Sequence, residues 1–318
     1  MEWPYRAVVK PSFGLGFLGP RLSGMDASMT HVPVARETSS WLSRFPGQLL
    51  SLAGIFVLLL GVSGCDKLKA RDLLNKGVAS FKEAQFDKAV EDFKQAKELD
   101  PDLINARLYL ATAYASQYIP GAPSDENLNH GKEAIAEYQS VLEKDPNNLN
   151  AIDGLASILY QMAGQPFDAK KFEQAKEYNL KHIQLKPEDP TPYYSIGVID
   201  WAEAYRGNTE MRADYNKAHI NKQIKDTDPL PPDVRKTYTE KFGAMVDDGI
   251  SNLKKAVELK PDYEDAMTYL NLLYRRKADM VESSAERDAL TKQADELLDK
   301  VKEIKQKKAE QPSPTPGS

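Results

Sequence analysis

This chain of 318 residues contains a single thiol, that of Cys65. Cys65 follows Val62, Ser63 and Gly64, and these follow an almost wholly apolar run at 49–60. One cysteine excludes an intrachain disulfide framework and a cysteine-based zinc site. Basic residues, an apolar run and small residues in that order are typical of a secretory signal, and the run is too short for a comfortable bilayer span.

The sequence Val62-Ser63-Gly64-Cys65 resembles the bacterial lipobox. The resemblance implies that the thiol of Cys65 is joined to diacylglycerol, that a peptidase cuts before Cys65 and that the new amine is acylated. Several acyl chains, at about 0.8 kcal/mol per buried CH₂, hold a protein firmly on a membrane. We therefore expect a lipid anchor at Cys65, in the inner or the outer membrane of a bacterial cell envelope, with the rest of the chain facing the periplasm or exterior. The alternative is an inert thiol beside an uncleaved membrane anchor.

Other residues that could do chemistry are not arranged for it. His130, His182 and His219 lie far apart, and no H-E-x-x-H sequence pairs two of them for a metal. Asp247 and Asp248 are adjacent, so on a helix their side chains point apart rather than form an acid/base pair. The sequence has no Walker glycine loop and no serine nucleophile elbow. We therefore predict a protein that is not an enzyme and needs no metal or cofactor.

The first 48 residues contain a G-x-G-x-x-G pattern at Gly14, Gly16 and Gly19. Such a loop binds a pyrophosphate only where a strand leads into it and a helix follows it, and here Pro11 and Pro20 interrupt both. Because prolines recur throughout this segment, residues 1–48 are predicted to be an unstructured leader or a mis-assigned start.

Composition limits the partners of the chain. The formal net charge is -5, so a basic surface for nucleic acid is not expected. With 41% hydrophobic residues the chain is long enough to bury a sizeable core, although a solenoid would spread that core along its length.

The stretch from Phe86 to Pro101 reads as an amphipathic helix that a proline ends. On a 3.6-residue period its apolar side chains share one face: Ala89, Val90, Phe93, Ala96 and Leu99. The same spacing returns as Ala134, Tyr138, Val141 and Pro146 and as Gly249, Leu253, Ala256 and Pro261, with Ala175 and Pro187 keeping the frame between them. Each of these helices follows another with a small residue in its interior: Gly77, Ala111, Ala156 and Gly197.

This arrangement resembles the tetratricopeptide repeat, a helix-turn-helix unit of about 34 residues. The resemblance implies an all-α, right-handed superhelical solenoid of about five repeats over residues 70–305. Asp200 departs from the pattern, since the family prefers an aromatic residue there. The predicted divisions are the leader at 1–48, a signal peptide at 49–64, a lipidated tether at 65–69, the repeat domain at 70–305 with an insertion near 205–244, and a disordered tail at 306–318.

In the tetratricopeptide family the concave face, built mainly from the first helix of each repeat, holds a peptide or a helix of a partner. Carried over to this chain, it implies a partner-binding groove that includes Asn105, Asn150, Tyr160, Gln161, Tyr194, Trp201, Arg275 and Arg276. The three aromatic residues would offer large contact area with few torsions to freeze. The alternative is that they pack between neighbouring helices and that the two arginines are solvated.

These features predict a membrane-anchored lipoprotein that acts as a protein-interaction scaffold or assembly factor. Its partners would be other envelope proteins, bound in the concave groove, and the membrane, bound through the lipid anchor. The competing hypothesis is a subunit that captures a peptide or small molecule for an envelope transport or cell-wall system. A deep closed pocket near Tyr194 and Trp201 would favour that second hypothesis.

Overall fold

The computed structural model describes the backbone of residues 47–310 and the side chains from Cys65 to Glu310. The described part is helical and contains no strand, which confirms the predicted all-α class. Its ten helices are α1 Gly47–Lys82, α2 Phe86–Leu99, α3 Ile104–Gln117, α4 Asp125–Lys144, α5 Leu149–Ala163, α6 Ala169–Leu185, α7 Pro190–Ala218, α8 Pro232–Leu259, α9 Glu264–Ala278 and α10 Ser284–Glu310.

Prolines end the helices where the sequence predicted. Pro101, Pro146, Pro187 and Pro261 each follow the last residue of α2, α4, α6 and α8 by two positions. The residue before each proline has left helical geometry, with φ between -132° and -142° at all four positions. Its N–H still donates to the carbonyl four residues earlier, so the last turn of each helix is closed before the chain leaves it.

The chain divides into two compact units between Gln161 and Met162. The first unit contains α1 to α4 and α5 as far as Gln161. Its packing depends on glycines that let a ring approach a helix backbone. A Cβ at Gly77 would lie 2.5 Å from the ring of Phe93, and a Cβ at Gly154 would lie 2.3 Å from the ring of Tyr138.

The second unit contains α6 to α10 and is built in the same way. A Cβ at Gly197 in α7 would lie 2.3 Å from Leu253 in α8, and one at Gly249 in α8 would lie 2.7 Å from Leu273 in α9. Leu253 and Leu273 are fully buried. In both units, therefore, core helices pack closely where a glycine, which has no side chain, faces a large side chain of the neighbouring helix.

The predicted insertion at 205–244 mostly lengthens two helices. Helix α7 has 29 residues and α8 has 28, and residues 219–231 connect them. The extended part of the pair has its own packing, because the ring of Phe242 lies against Gly207 and the hydroxyl of Tyr238 donates to the carbonyl of Ala204 at 2.9 Å. Tyr238 is fully buried.

The structure differs from two predicted boundaries. The tether at 65–69 is part of α1, with Cys65 exposed, and α10 continues through 306–310, the beginning of the predicted tail. That continuation is fixed to α9, since Lys308 donates to Glu264 at 2.6 Å. The predictions for residues 1–46, for the side chains at 49–64 and for 311–318 lie outside the described residues. Over residues 65–310, no helix is long and apolar enough to cross a membrane.

The close contact at Gly197 predicts opposite effects for alanine at two buried glycines of the second unit. A Cβ at Gly243 meets nothing closer than 3.6 Å, so Gly243→Ala should stabilise α8 by about 0.5–1 kcal/mol through helix propensity. Gly197→Ala forces a shift of Leu253 and should destabilise the unit by about 1–3 kcal/mol. Urea unfolding of both full-length variants measures the difference. Stabilisation by both substitutions would contradict the close approach of α7 and α8.

Candidate partner-binding surface

Five aromatic side chains meet between α7 and α9, and we call them the aromatic cluster: Tyr194, Trp201, Tyr205, Tyr263 and Tyr269. The ring of Tyr194 lies 5.0 Å from that of Tyr263 and 5.8 Å from that of Tyr269, centroid to centroid. Trp201 meets Tyr269 edge-on at 5.2 Å and stacks on Tyr205 at 5.3 Å. Such contacts stabilise a pair by about 0.5–1.5 kcal/mol beyond area burial, so the cluster firmly joins the two helices.

The cluster leaves little of Tyr194 and Trp201 in contact with solvent. Each is 7% exposed, because Tyr263 and Tyr269 cover them from α9. In the structure these two side chains pack between helices, as in the alternative given above for the aromatic residues. Their direct contact with a partner stays a prediction. Burial raises the pKa of the Tyr194 and Tyr263 hydroxyls well above the usual tyrosine range. These phenols are neutral at physiological pH and act through packing.

A more accessible group borders the cluster, and we call it the rim: Phe167, Tyr205, Arg206 and Arg276. The guanidinium of Arg206 lies 3.8 Å from the ring centroid of Phe167, and that of Arg276 lies 5.9 Å from that of Tyr205. Phe167 is 37% exposed. Arginine over an aromatic face is a favourable cation–π contact, and tyrosine and arginine are enriched at the energetic centres of protein interfaces.

The two arginines predicted from sequence already have carboxylate partners. Arg275 bonds Asp295 at 2.6 Å. Arg276 pairs with Asp279 at 3.2 Å and donates to the side-chain oxygen of Asn208 at 2.7 Å. A partner carboxylate would have to share or displace these bonds. Of the two, Arg276 also lies over an aromatic ring, that of Tyr205.

The remaining predicted groove residues belong to the first unit. Asn105 and Asn150 are exposed at the beginnings of α3 and α5, and Tyr160 and Gln161 are half-buried towards the end of α5. Gln161 donates to the hydroxyl of Ser157 at 3.1 Å. Their contact with a partner also stays a prediction.

Comparison with known proteins identifies the fold. No protein-family model and no curated protein sequence matches the chain. Solved structures of MamA, a tetratricopeptide-repeat protein, do match. The MamA RS-1 ArsTM double mutant is 16% identical with a TM-score of 0.50, over 76% of this chain and 98% of that chain. MamA from residue 41 to its end, from Desulfovibrio magneticus RS-1, is 17% identical with a TM-score of 0.50, over 77% and 98%.

The chain has the tetratricopeptide-repeat fold. This confirms the predicted architecture of helix-turn-helix repeats. At this level of identity the likeness concerns the fold alone, so the function has to be argued from the side chains of this tetratricopeptide array.

Counted in helix pairs along the chain, α7 and α8 form the fourth repeat and α9 and α10 the fifth. The insertion in the fourth repeat is tied to the fifth by a buried polar lock: Asn208, Arg212 and Asp279. Arg212, 3% exposed, donates to Asp279 at 3.0 Å, to Asn208 at 2.8 Å and to the carbonyls of Lys225 and Asp228 at 2.8 and 2.9 Å. Burial raises the pKa of Asp279, against the opposing pull of Arg276 and Arg212. The lock holds the connection after α7 against the end of α9.

A second buried ionic centre lies where the array departs from the repeat pattern. Asp200 is fully buried in α7 and accepts a bond from Lys176 of α6 at 2.6 Å. Lys176 also reaches Asp248 of α8 at 3.2 Å. Burial raises the pKa of Asp200 to about 7, with Lys176 opposing the shift. The residue that replaces the preferred aromatic is therefore an interior carboxylate shared by three helices.

The geometry of the array offers little to catalysis. His182 and Asp189 approach to 3.5 Å, but Asp189 caps α7 by accepting from the N–H of Thr191 at 2.8 Å, and His182 is buried in the last turn of α6. Within residues 65–310, no group of three or more His, Cys, Asp or Glu side chains could hold a metal ion.

An open cleft of about 530 Å³ lies at the beginning of α8, and no residue of the aromatic cluster lines it. Its lining mixes acidic, basic and apolar side chains, among them Arg235, Glu240 and Met280. Tyr194 and Trp201 do not line it. The deep closed pocket that would favour capture of a small molecule by these residues is therefore not this cleft.

Sequence reasoning missed three of the four rim residues and three of the five residues of the aromatic cluster. Tyr205 lies four residues after Trp201 and so shares its helix face, a signal that was available. Arg206 stood in the predicted insertion, and Phe167 stands in a turn without periodicity. Tyr263 and Tyr269 gain their role only when α9 packs on α7.

The lock predicts local loosening in the variant Arg212→Ala. Removing the guanidinium leaves the carbonyls of Lys225 and Asp228 without their donor, while Asp279 keeps Arg276 and Asn208. Each buried acceptor left unsatisfied costs about 1–3 kcal/mol. Hydrogen exchange should accelerate in residues 219–231. Lys217→Ala, on the exposed side of the same helix, is the matched control and should leave exchange unchanged. Equal protection of this segment in both variants would show that the lock does not hold the connection.

Proposed function

We propose that this protein is a tetratricopeptide scaffold of the bacterial cell envelope that binds another protein through the inner helices of its second unit. The observation that carries the proposal is the rim, where Arg206 lies on the ring of Phe167 and Arg276 lies over the ring of Tyr205. Rigid rings and planar guanidinium groups give large contact area at low entropic cost.

The rim is also fixed in place before a partner arrives. Arg206 is held by Glu210 at 2.7 Å, and Arg276 is held by Asp279 and Asn208. Tyr205 is held by stacking on Trp201, which in turn packs against Tyr269 of α9. A surface that is already ordered loses little conformational entropy on binding, which favours affinity.

A lipid anchor at Cys65 completes the proposal. The supporting observations are the lipobox-like sequence and the exposure of Cys65. Ala70, five residues further along α1, is fully buried in the first repeat. At about 1.5 Å of rise per helical residue, the repeats would begin within about 8 Å of the lipidated residue along the helix axis. The array would then act close to the membrane surface.

The capture of a peptide or small molecule remains the second candidate function. The 530 Å³ cleft beside Arg235 and Met280 is the feature that could support it. We favour the scaffold, because the cation–π pairs of arginine and aromatic side chains lie in the rim, whereas the residues that line the cleft include no aromatic side chain.

The anchor predicts the fate of Cys65 in the full chain. Expressed in a bacterium with a C-terminal tag, the wild type should yield a lipid-bearing peptide that begins at Cys65, and it should fractionate with membranes. Cys65→Ser should lose the modification and remain uncut, while Lys67→Ala, two residues away, should behave as the wild type. Mass spectrometry of the N-terminal peptide reports the result. An unmodified Cys65 in a longer wild-type chain would leave an uncleaved anchor as the explanation and would refute lipidation.

The scaffold proposal predicts a partner at the rim. A photo-crosslinking amino acid at the exposed Thr209, one turn after Tyr205, should capture a defined envelope protein, whereas the same probe at Leu180 of α6 should not. Adding Arg206→Ala should weaken capture about five- to thirtyfold, as expected for a loss of about 1–2 kcal/mol at an interface centre. Lys241→Ala should have no effect. Equal capture at both probe positions, or no capture at Thr209, would contradict a partner at the rim.

A further inference from the structure

Three helices of the second unit meet at the carboxylate of Asp200. Its Oδ1 accepts from Nζ of Lys176 in α6, and Lys176 bridges onward to Asp248 in α8. Its Oδ2 is buried without a hydrogen-bond partner. The backbone of α8 leaves this oxygen little space, because a Cβ at Gly249 would lie 3.3 Å from it. One half of the carboxylate is therefore satisfied and the other is not.

The charges around Asp200 do not balance. Lys176 is the cation that faces it, from α6. Asp248 of α8 and Glu203 of α7 both act against its ionisation, and Glu173 of α6 acts in the same sense on Glu203. At this level α9 contributes apolar packing by Leu273 against Gly249. When Asp200 is ionised, the single cation of Lys176 has to offset the charges of Asp200, Asp248 and Glu203. When Asp200 is neutral, Lys176 keeps its ion pair with Asp248.

We propose that Asp200 is a proton-sensitive latch, in which a proton bound to its carboxyl tightens the packing of α6 and α8 on α7 and loss of the proton loosens it. A neutral carboxyl carries no buried charge, so its second oxygen does not need a cation or a second donor to offset one. The ionised form retains an unpartnered oxygen in a fully buried place, which is unfavourable in a low-dielectric interior.

The direction of the effect follows from proton linkage. Burial raises the pKa of Asp200 to about 7, whereas the pKa of an aspartate in an unfolded chain is about 4. The folded unit thus holds this proton more tightly than the unfolded chain does. The contribution of the latch to stability is full below about pH 4, is lost as the pH rises to about 7 and is absent above that.

The latch also adjoins the candidate surface. Trp201, the next residue of α7, belongs to the aromatic cluster through Tyr269 and Tyr205. Any loosening of α7 between α6 and α8 therefore reaches the helix that carries the rim.

The alternative to a latch is an ordinary structural ion pair between Asp200 and Lys176. Such a pair would stabilise the unit equally at pH 5 and pH 8, so the pH profile of stability distinguishes a latch from an ion pair.

Hydrogen exchange of the full chain, corrected for the intrinsic pH dependence of exchange, tests the latch. The opening equilibrium of α6, α7 and α8 should rise by up to about tenfold per pH unit between pH 5 and 7, the slope that one proton gives. Asp200→Asn cannot ionise and should flatten the profile. Asp214→Asn, which removes an exposed carboxylate of α7 outside this ionic centre, is the control and should keep the slope.

A second variant keeps the test open if Asp200→Asn folds poorly. Lys176→Met retains the carboxyl of Asp200 but removes its cation, so its profile should move to higher pH and its opening at pH 8 should exceed that of the wild type. The proposal is overturned if the wild type shows no pH dependence in these helices. It is equally overturned if Asp200→Asn keeps the wild-type slope, or if the Lys176→Met profile does not move.

Discussion

The close approach of paired helices at a glycine is the constraint on which the rest of this structure depends. Where Gly77 faces Phe93 or Gly197 faces Leu253, the missing Cβ sets the spacing of the helices, and the facing side chain fills the space. That spacing fixes what fits nearby. Gly249 brings the backbone of α8 against Asp200, so the carboxylate is buried between helices instead of reaching water. The ionic centre is thus a consequence of repeat packing.

The insertion in the fourth repeat shows how an array is enlarged without a new core. The added turns of α7 and α8 lie beyond the repeat core and need additional contacts to hold them together. Tyr238 and Phe242 pack α8 on α7, and Arg212 joins α7 to Asp279 at the end of α9. The added turn of α7 also places Arg206 over Phe167. Two of the four rim residues, Tyr205 and Arg206, therefore lie in the part of α7 that lengthens this repeat.

The sequence predicted what depends on local periodicity. Apolar side chains at helical spacing, with a proline after each second helix, indicated both the helices and the repeat, and the structure contains them. The burial of Tyr194 and Trp201 could not be foreseen, because Tyr263 and Tyr269 lie almost 70 residues further along the chain and reach them only through packing. Phe167 was missed for a related reason, since a side chain in a turn has no periodic pattern to reveal its contacts.

Two neighbouring residues of α7, Asp200 and Trp201, point to different neighbouring helices, so α7 connects the ionic centre with the aromatic cluster. Asp200 faces Lys176 on α6 and Gly249 on α8, while Trp201 packs on Tyr269 of α9. The rim extends the same helix through Tyr205 and Arg206. A partner bound at the rim would act on a helix that also carries Asp200, a buried carboxyl with one oxygen paired to Lys176 and the other unpartnered. Binding and protonation would then act on one packing equilibrium, and by linkage each would alter the other to the same degree.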